Sequence, residues 1–120
     1  KPPGDLDVNL ADGMEDTEYL AALEQGLDES LAKFEPDIIF YVAGADPYRE
    51  DQLGGLRLTM EGLIARDRLV FTKARAKNIP VAVTLAGGYA RRVEDTVAIH
   101  ANTIRAAAEF ARPAPQGAKL

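Results

Sequence analysis

The sequence of 120 residues contains no cysteine, no tryptophan and a single histidine. A chain without thiolates and with one imidazole has no disulfide framework and no self-contained zinc module of cysteine and histidine ligands. It also lacks a run of lysine and arginine, and its formal net charge is −5, from 14 basic and 19 acidic residues. Because phosphate binding requires clustered positive charge, we expect no nucleic acid partner.

Long apolar runs are absent as well. No stretch approaches the roughly 18 to 20 apolar residues that a membrane span requires, so we expect no membrane partner. The opening residues Lys1 to Gly4 have no apolar segment behind them, which argues against a secretory signal and favours a cytoplasmic location. The length suits one small domain that leaves much of its surface uncovered.

Helix-like and strand-like segments alternate along the chain, and this alternation predicts the α/β class. Apolar residues recur at steps of three and four over 16–34, which predicts an amphipathic helix that ends before Pro36. Residues 37–43 and 81–85 are nearly unbroken apolar runs, typical of strands buried on both faces of a parallel sheet. A further short strand is possible at residues 6–10.

Two more helices complete the predicted elements. Thr59 can cap the second helix, in which Asp67 interrupts an apolar stripe and is expected to be a paired carboxylate. A third helix follows Tyr89, and His100 lies on its predicted apolar face, so we expect a packed histidine with a satisfied nitrogen. That face contains Val93, Val97, Ile104 and Ala108. Residues 112–120 are rich in proline and glycine and are predicted to form a disordered tail after a folded segment at 1–111.

The carboxyl ends of parallel strands share one edge of a sheet, where open α/β sheets bind ligands. This edge collects Asp46 after the first strand, and Gly87, Gly88 and Tyr89 after the second. Asp46 is either a metal ligand or a turn former. The glycines either admit a ligand or serve only the turn. Tyr89 either donates a hydrogen bond to a developing oxyanion or packs at the rim.

Several motifs in fixed order resemble the C-terminal part of the histone deacetylase family, in particular its bacterial and class IV-like members. They are YVAGADP at 41–47, DQLGGLRLT at 51–59, GL and RD within 62–67, IPV at 79–81 and GGY at 87–89. The resemblance extends over residues 5 to about 108. It implies a three-layer α/β/α fold of the arginase/deacetylase type and zinc-dependent hydrolysis of acetyl-lysine or a related acylated amine.

The same resemblance implies roles for four residues. Asp46 corresponds to the last of three zinc ligands, and Tyr89 to the tyrosine that hydrogen-bonds the substrate carbonyl. Gly87 and Gly88 resemble the glycines that line the acyl channel. The Asp-x-His motif of the family's first two zinc ligands and its tandem histidine base have no counterpart here. Catalytic zinc normally needs three protein ligands, so we expect zinc in the complete parent enzyme and not in this chain alone.

We therefore predict a C-terminal fragment of a zinc-dependent deacetylase that is inactive alone. An excised part of a parallel sheet leaves an open edge and apolar faces, so we also predict a homo-oligomer that covers them. One alternative is a non-catalytic α/β binding or assembly module. A weaker one is an unrelated nucleotide- or phosphate-binding domain, against which the absence of a phosphate-loop lysine counts.

Overall fold

The computed structural model describes residues 4–111, which form three helices and two strands. In chain order these are α1 (Asp16–Phe34), β1 (Ile39–Gly44), α2 (Met60–Ala76), β2 (Val81–Ala86) and α3 (Val93–Ala111). The strands pair in parallel, with Ile39 opposite Val81 and Gly44 opposite Ala86. The predicted α/β class with a parallel sheet is confirmed, and both strands end at the same edge. The predicted tail at 112–120 lies outside the described residues.

The helix boundaries follow from local chemistry. Glu35, which precedes Pro36, adopts a left-handed conformation with φ of 46° and ends α1. Thr59 caps α2 as predicted, since its Oγ1 accepts a hydrogen bond from the Gly62 N–H at 2.9 Å. Asp16 in turn accepts hydrogen bonds from the Thr59 N–H and hydroxyl, at 2.9 and 2.5 Å. The first turns of α1 and α2 are therefore joined.

The main core cluster packs the loop that follows β1 against α2 and α3. Its members come from that loop, from α2 and from α3, and are Ala45, Tyr48, Leu58, Leu63 and Ile99. Two of them, Ala45 and Tyr48, lie on either side of Asp46 along the chain. Burial of these side chains fixes the path of the loop, and therefore fixes the position of the Asp46 backbone.

The prediction that both strands are buried on both faces is wrong for the residues described. Tyr41 and Ala43 face α2, whereas Phe40 and Val42 on the opposite face are 69% and 64% exposed. Within residues 4–111 the helices pack on one face of the sheet only. We refer to the uncovered surface around Phe40 and Val42 as the bare sheet face.

The predicted apolar face of α3 is also wrong as a core face. Val93, Val97 and Ile104 are 68%, 61% and 51% exposed. The buried side of the helix carries instead Ile99, Thr103 and Ala106. The hydrophobic stripe indicated a face suited to burial, but the described part of the chain does not cover it.

The possible strand at residues 6–10 does not form, and the segment has no regular structure. Leu6, Val8 and Leu10 line a groove against α1 together with Tyr19. Alternating apolar residues therefore pack on a helix here without pairing into the sheet. No helix within residues 4–111 is long and apolar enough to cross a membrane.

Candidate active site

Asp46 lies at the shared carboxyl edge of the two strands, two residues after β1, and its side chain is exposed. Among residues 4–111 its carboxylate has neither a hydrogen-bond donor nor an ion-pair partner. The glycine turn passes close to it, since a Cβ added at Gly87 would lie 3.0 Å from Asp46 Oδ1. The structure thus brings two of the predicted site residues, Asp46 and Gly87, close together.

Gly87 and Gly88 both adopt backbone conformations that side chains disfavour. Their φ angles are 59° and 119°. A Cβ at Gly88 would lie 2.6 Å from Thr96 Cγ2 and 3.2 Å from Ala45 Cβ. The glycine turn is therefore required by conformation and by space, and it passes directly beside the Asp46 carboxylate.

Tyr89 is fixed through its backbone and free at its side chain, which is 60% exposed. Its N–H donates to Asp51 Oδ2 at 2.8 Å, and its carbonyl accepts from the Gln52 N–H at 3.0 Å. The side-chain amide of Gln52 also donates to that carbonyl, at 3.2 Å. The phenol is carried at the sheet edge by a loop that is tied to the Asp46 loop.

Asp51 makes this tie, and the sequence reasoning missed it. Its carboxylate is 8% exposed and accepts backbone hydrogen bonds from Leu53, Gly54 and Tyr89, at 2.8, 2.9 and 2.8 Å. Burial alone would raise the pKa of Asp51, but the three N–H donors together lower it below its ordinary value of 3.8. An aspartate three residues before a glycine is a known turn signal, and it could have been noticed.

A buried polar network of side chains contacts the end of β1. Asp67 is 1% exposed and accepts hydrogen bonds from the Tyr41 and Thr103 hydroxyls, both at 2.5 Å, and from Arg66 Nε at 3.0 Å. The predicted pairing of Asp67 is confirmed. Arg66 Nη1 donates to the Gly44 carbonyl at 2.5 Å. The last residue of β1, two positions before Asp46, is therefore held by a buried guanidinium.

The electrostatics of this network favour uncharged phenols. Burial raises the pKa of Tyr41, and its hydrogen bond to Asp67 adds to the effect, while the Arg66 charge opposes it. Burial likewise raises the pKa of Tyr19, against the opposing charge of Arg66. Both phenols therefore stay protonated at neutral pH, and the charges buried in this network are those of Arg66 and Asp67.

Comparison with known proteins identifies the family of the chain. A sequence model of the histone deacetylase domain matches residues 4–104, which is most of the chain. This chain belongs to the histone deacetylase family. The resemblance drawn from the motifs is thereby confirmed.

Relatives of this deacetylase-family chain include proteins from bacteria and plants. It is 41% identical over 107 residues to an uncharacterised protein of Picosynechococcus, covering 89% of the chain and 36% of that protein. It is 36% identical over 97 residues to histone deacetylase 2 of Arabidopsis thaliana, covering 78% of the chain and 25% of the plant protein. The chain thus spans about a third or less of these relatives.

Solved structures support the deacetylase fold. Acetylpolyamine aminohydrolase from Burkholderia pseudomallei matches with a TM-score of 0.71 at 22% identity, over 84% of this chain and 28% of that one. A histone deacetylase homologue complexed with SAHA matches with a TM-score of 0.67 at 26% identity, over 92% of this chain and 28% of the other. The first of these likenesses concerns the fold alone.

The residues of the deacetylase-family chain do not by themselves suit a catalytic zinc ion. Within 4–111, no three histidine, cysteine, aspartate or glutamate side chains come together as a possible metal site. Catalytic zinc normally has three protein ligands and one open position. Asp46 offers one carboxylate without a partner in residues 4–111, so the described residues provide one candidate ligand and not three.

We expect Asp51→Asn to destabilise the deacetylase-family chain by about 1–3 kcal/mol at pH 7, because an amide nitrogen would face one of three N–H donors. The folded pKa of Asp51 is lowered, so its contribution is fully present above the unfolded value, near pH 4, and is lost as the pH falls through the folded value. Urea unfolding at pH 7 and at pH 3 gives the free energy of unfolding of the wild type and of Asp51→Asn. The difference between them should shrink at pH 3, and an equal difference at both would contradict the assignment.

We expect Gly54→Ala to displace the Asp46 loop, because the added Cβ would overlap the Asp46 carbonyl oxygen. The expected destabilisation is about 3 kcal/mol, measured by thermal and urea unfolding. Gly55→Ala is the matched control, since its Cβ would meet the Asp12 side chain at 2.9 Å, which can rotate away. Equal losses in the two variants would contradict a specific cost of the overlap with the Asp46 carbonyl oxygen.

Proposed function

We propose that this chain contributes the metal-binding aspartate and the substrate-binding tyrosine to a zinc-dependent deacetylase. The observation that carries the proposal is the unpaired Asp46 carboxylate, packed against Gly87 at the sheet edge. Membership of the histone deacetylase family supports the same assignment. The remaining zinc ligands and the general base would come from polypeptide beyond these 120 residues, because the described residues supply one ligand.

The proposed substrate is acetyl-lysine or a related acylated amine. The likeness to an acetylpolyamine aminohydrolase agrees with an acylated amine, although that likeness concerns the fold alone. Gly87 and Gly88 would border the acyl group, since any larger residue would enter the space beside Asp46 or Thr96. Bound zinc would polarise the amide carbonyl and activate water.

Tyr89 would act on the substrate through its phenolic hydroxyl. Donors placed where negative charge develops stabilise the transition state more than the ground state. Its backbone is tied to Asp51 and Gln52, so the position of the ring would depend little on the substrate. The free phenol has no intramolecular partner among the described residues and is available as a donor.

The test measures zinc binding and turnover for two proteins, the 120-residue chain and the complete reading frame that contains it. Calorimetric titration with zinc should show no stoichiometric tight site in the chain alone and one in the complete protein. Turnover of an acetyl-lysine reporter and of an acetylated polyamine should likewise be seen with the complete protein and not with the chain alone. Tight zinc and turnover in the chain alone would contradict the proposal.

A matched pair of variants separates the metal role of Asp46 from general damage to the fold. Asp46→Asn in the complete protein should abolish tight zinc and turnover, while its unfolding temperature without metal should stay close to that of the metal-free wild type. Asp28→Asn is the control, because this exposed carboxylate only pairs with Lys73 on the surface, at 2.8 Å. Unchanged zinc affinity in Asp46→Asn would refute the metal role.

The second candidate function is a non-catalytic assembly module, and the bare sheet face favours it. Phe40 and Val42 stand exposed there, and the described sheet has two open edges. We expect the 120-residue chain to self-associate through this face. Light scattering should give a dimer or larger species, which Phe40→Glu should dissociate, whereas a monodisperse monomer at high concentration would contradict the expectation.

A further inference from the structure

His100, on α3, contacts the glycine turn. Its Nε2 lies 3.3 Å from the Gly87 carbonyl oxygen, which is within hydrogen-bond distance. Its Nδ1 is buried and has no hydrogen-bond partner among the described residues. The predicted packed histidine is therefore only half-buried, and one of its nitrogens is satisfied by the glycine turn.

The two nitrogens define the tautomer. A hydrogen on Nδ1 would be a buried donor without an acceptor, which folded proteins rarely contain. A hydrogen on Nε2 has an acceptor in the Gly87 carbonyl. The favoured tautomer has its hydrogen on Nε2, which donates to Gly87, and Nδ1 carries no hydrogen.

The contact acts on the residue that borders the Asp46 carboxylate. Gly87 has a φ of 59°, and its α-carbon faces Asp46 Oδ1 closely enough that an added Cβ would lie 3.0 Å away. The peptide between Gly87 and Gly88 is trans, so its carbonyl and its N–H point in opposite directions. A donor that holds the Gly87 carbonyl therefore also sets the direction of the Gly88 N–H.

We propose that His100 is a positioning residue for this site, holding the Gly87 carbonyl through Nε2–H and thereby fixing the glycine turn against Asp46. The consequence for catalysis rests on the proposed function, whereas the contact and the tautomer do not. A histidine that only filled space would be replaceable by an apolar side chain of similar size. A donor at the same position is replaceable by glutamine, whose amide nitrogen can occupy the place of Nε2.

The first measurement uses labelled 120-residue chain and does not depend on activity. The imidazole nitrogen shifts at pH 7.5 should report the Nε2–H tautomer. His100→Leu should shift the Gly88 amide nitrogen signal, and His100→Gln should return it most of the way. Arg105→Leu, an exposed change on the same helix, should leave that signal in place. A hydrogen on Nδ1, or equal shifts in the Leu and Gln variants, would overturn the proposal.

The second measurement uses the complete protein and separates positioning from binding. His100→Leu should lower kcat about tenfold with KM changed less than twofold, and His100→Gln should recover to within about threefold of the wild type. Equal losses in both variants would refute the positioning role. A wild-type protein without turnover would refute the proposed function instead, and the nitrogen shifts would still decide whether His100 holds Gly87.

Discussion

Asp67→Ala is expected to lower the free energy of unfolding by about 3–5 kcal/mol, because it leaves the Arg66 guanidinium buried without its counter-charge. Arg66 is 4% exposed, and its Nε and Nη2 lie 3.0 and 2.9 Å from Asp67 Oδ1. The Tyr41 and Thr103 hydroxyls would lose their acceptor in the same variant. A loss of this size is a large part of the total stability of an ordinary domain.

Equilibrium urea unfolding followed by circular dichroism measures this loss. Arg68→Ala is the control, because the Arg68–Glu109 pair at 2.6 Å is as short but more than half exposed on both sides. Exposed pairs contribute about 0–1 kcal/mol, so this variant should remain close to the wild type. Similar losses in the two variants would show that burial does not distinguish the pairs.

Tyr89→Phe is expected to reduce kcat of the complete protein by about 100- to 1000-fold, the typical cost of removing one oxyanion donor. The loss should fall on kcat more than on KM, because the carbonyl oxygen becomes most negative in the transition state. Stability should hardly change, since the phenol has no partner within residues 4–111 and its ring is mostly exposed.

Tyr48→Phe is the matched control for this experiment. Its hydroxyl donates to Asp95 of α3 at 3.1 Å. Removal of this hydroxyl should therefore lower the free energy of unfolding by about 1 kcal/mol and change kcat little. Steady-state kinetics gives kcat for each of the two variants, and thermal unfolding gives the unfolding temperature of each. A Tyr89→Phe enzyme with wild-type kcat would remove the phenol from the proposed mechanism.

Local patterns predicted the elements well because their determinants lie close together in the sequence. Thr59 and Gly62 form a cap within one turn, and Pro36 ends α1 from two positions away. The pairing of Asp67 was also predictable, since a carboxylate inside an apolar stripe requires a donor. Two of its partners were not, because Tyr41 and Thr103 lie 26 and 36 residues away on other elements.

The errors share one physical cause. Hydrophobic periodicity reports which faces of an element are suited to burial, and says nothing about whether a given stretch of chain covers them. Several apolar residues on such faces are exposed within residues 4–111. They are Phe40, Val42, Val93 and Val97. The role of Asp51 was missed for a related reason, since one of its donors, the Tyr89 N–H, lies 38 residues away.

The shared carboxylate of Asp51 has a consequence for engineering this family. Hydrogen bonds join the loop that bears Asp46 to the loop that bears Tyr89. Asp51 accepts from the Tyr89 N–H, and Gln52 donates to the Tyr89 carbonyl. Neither loop is a module that can be exchanged alone, because a foreign partner would leave buried amide groups without acceptors. Grafts or directed libraries at this edge should therefore transfer both loops together, as one discontinuous unit of recombination.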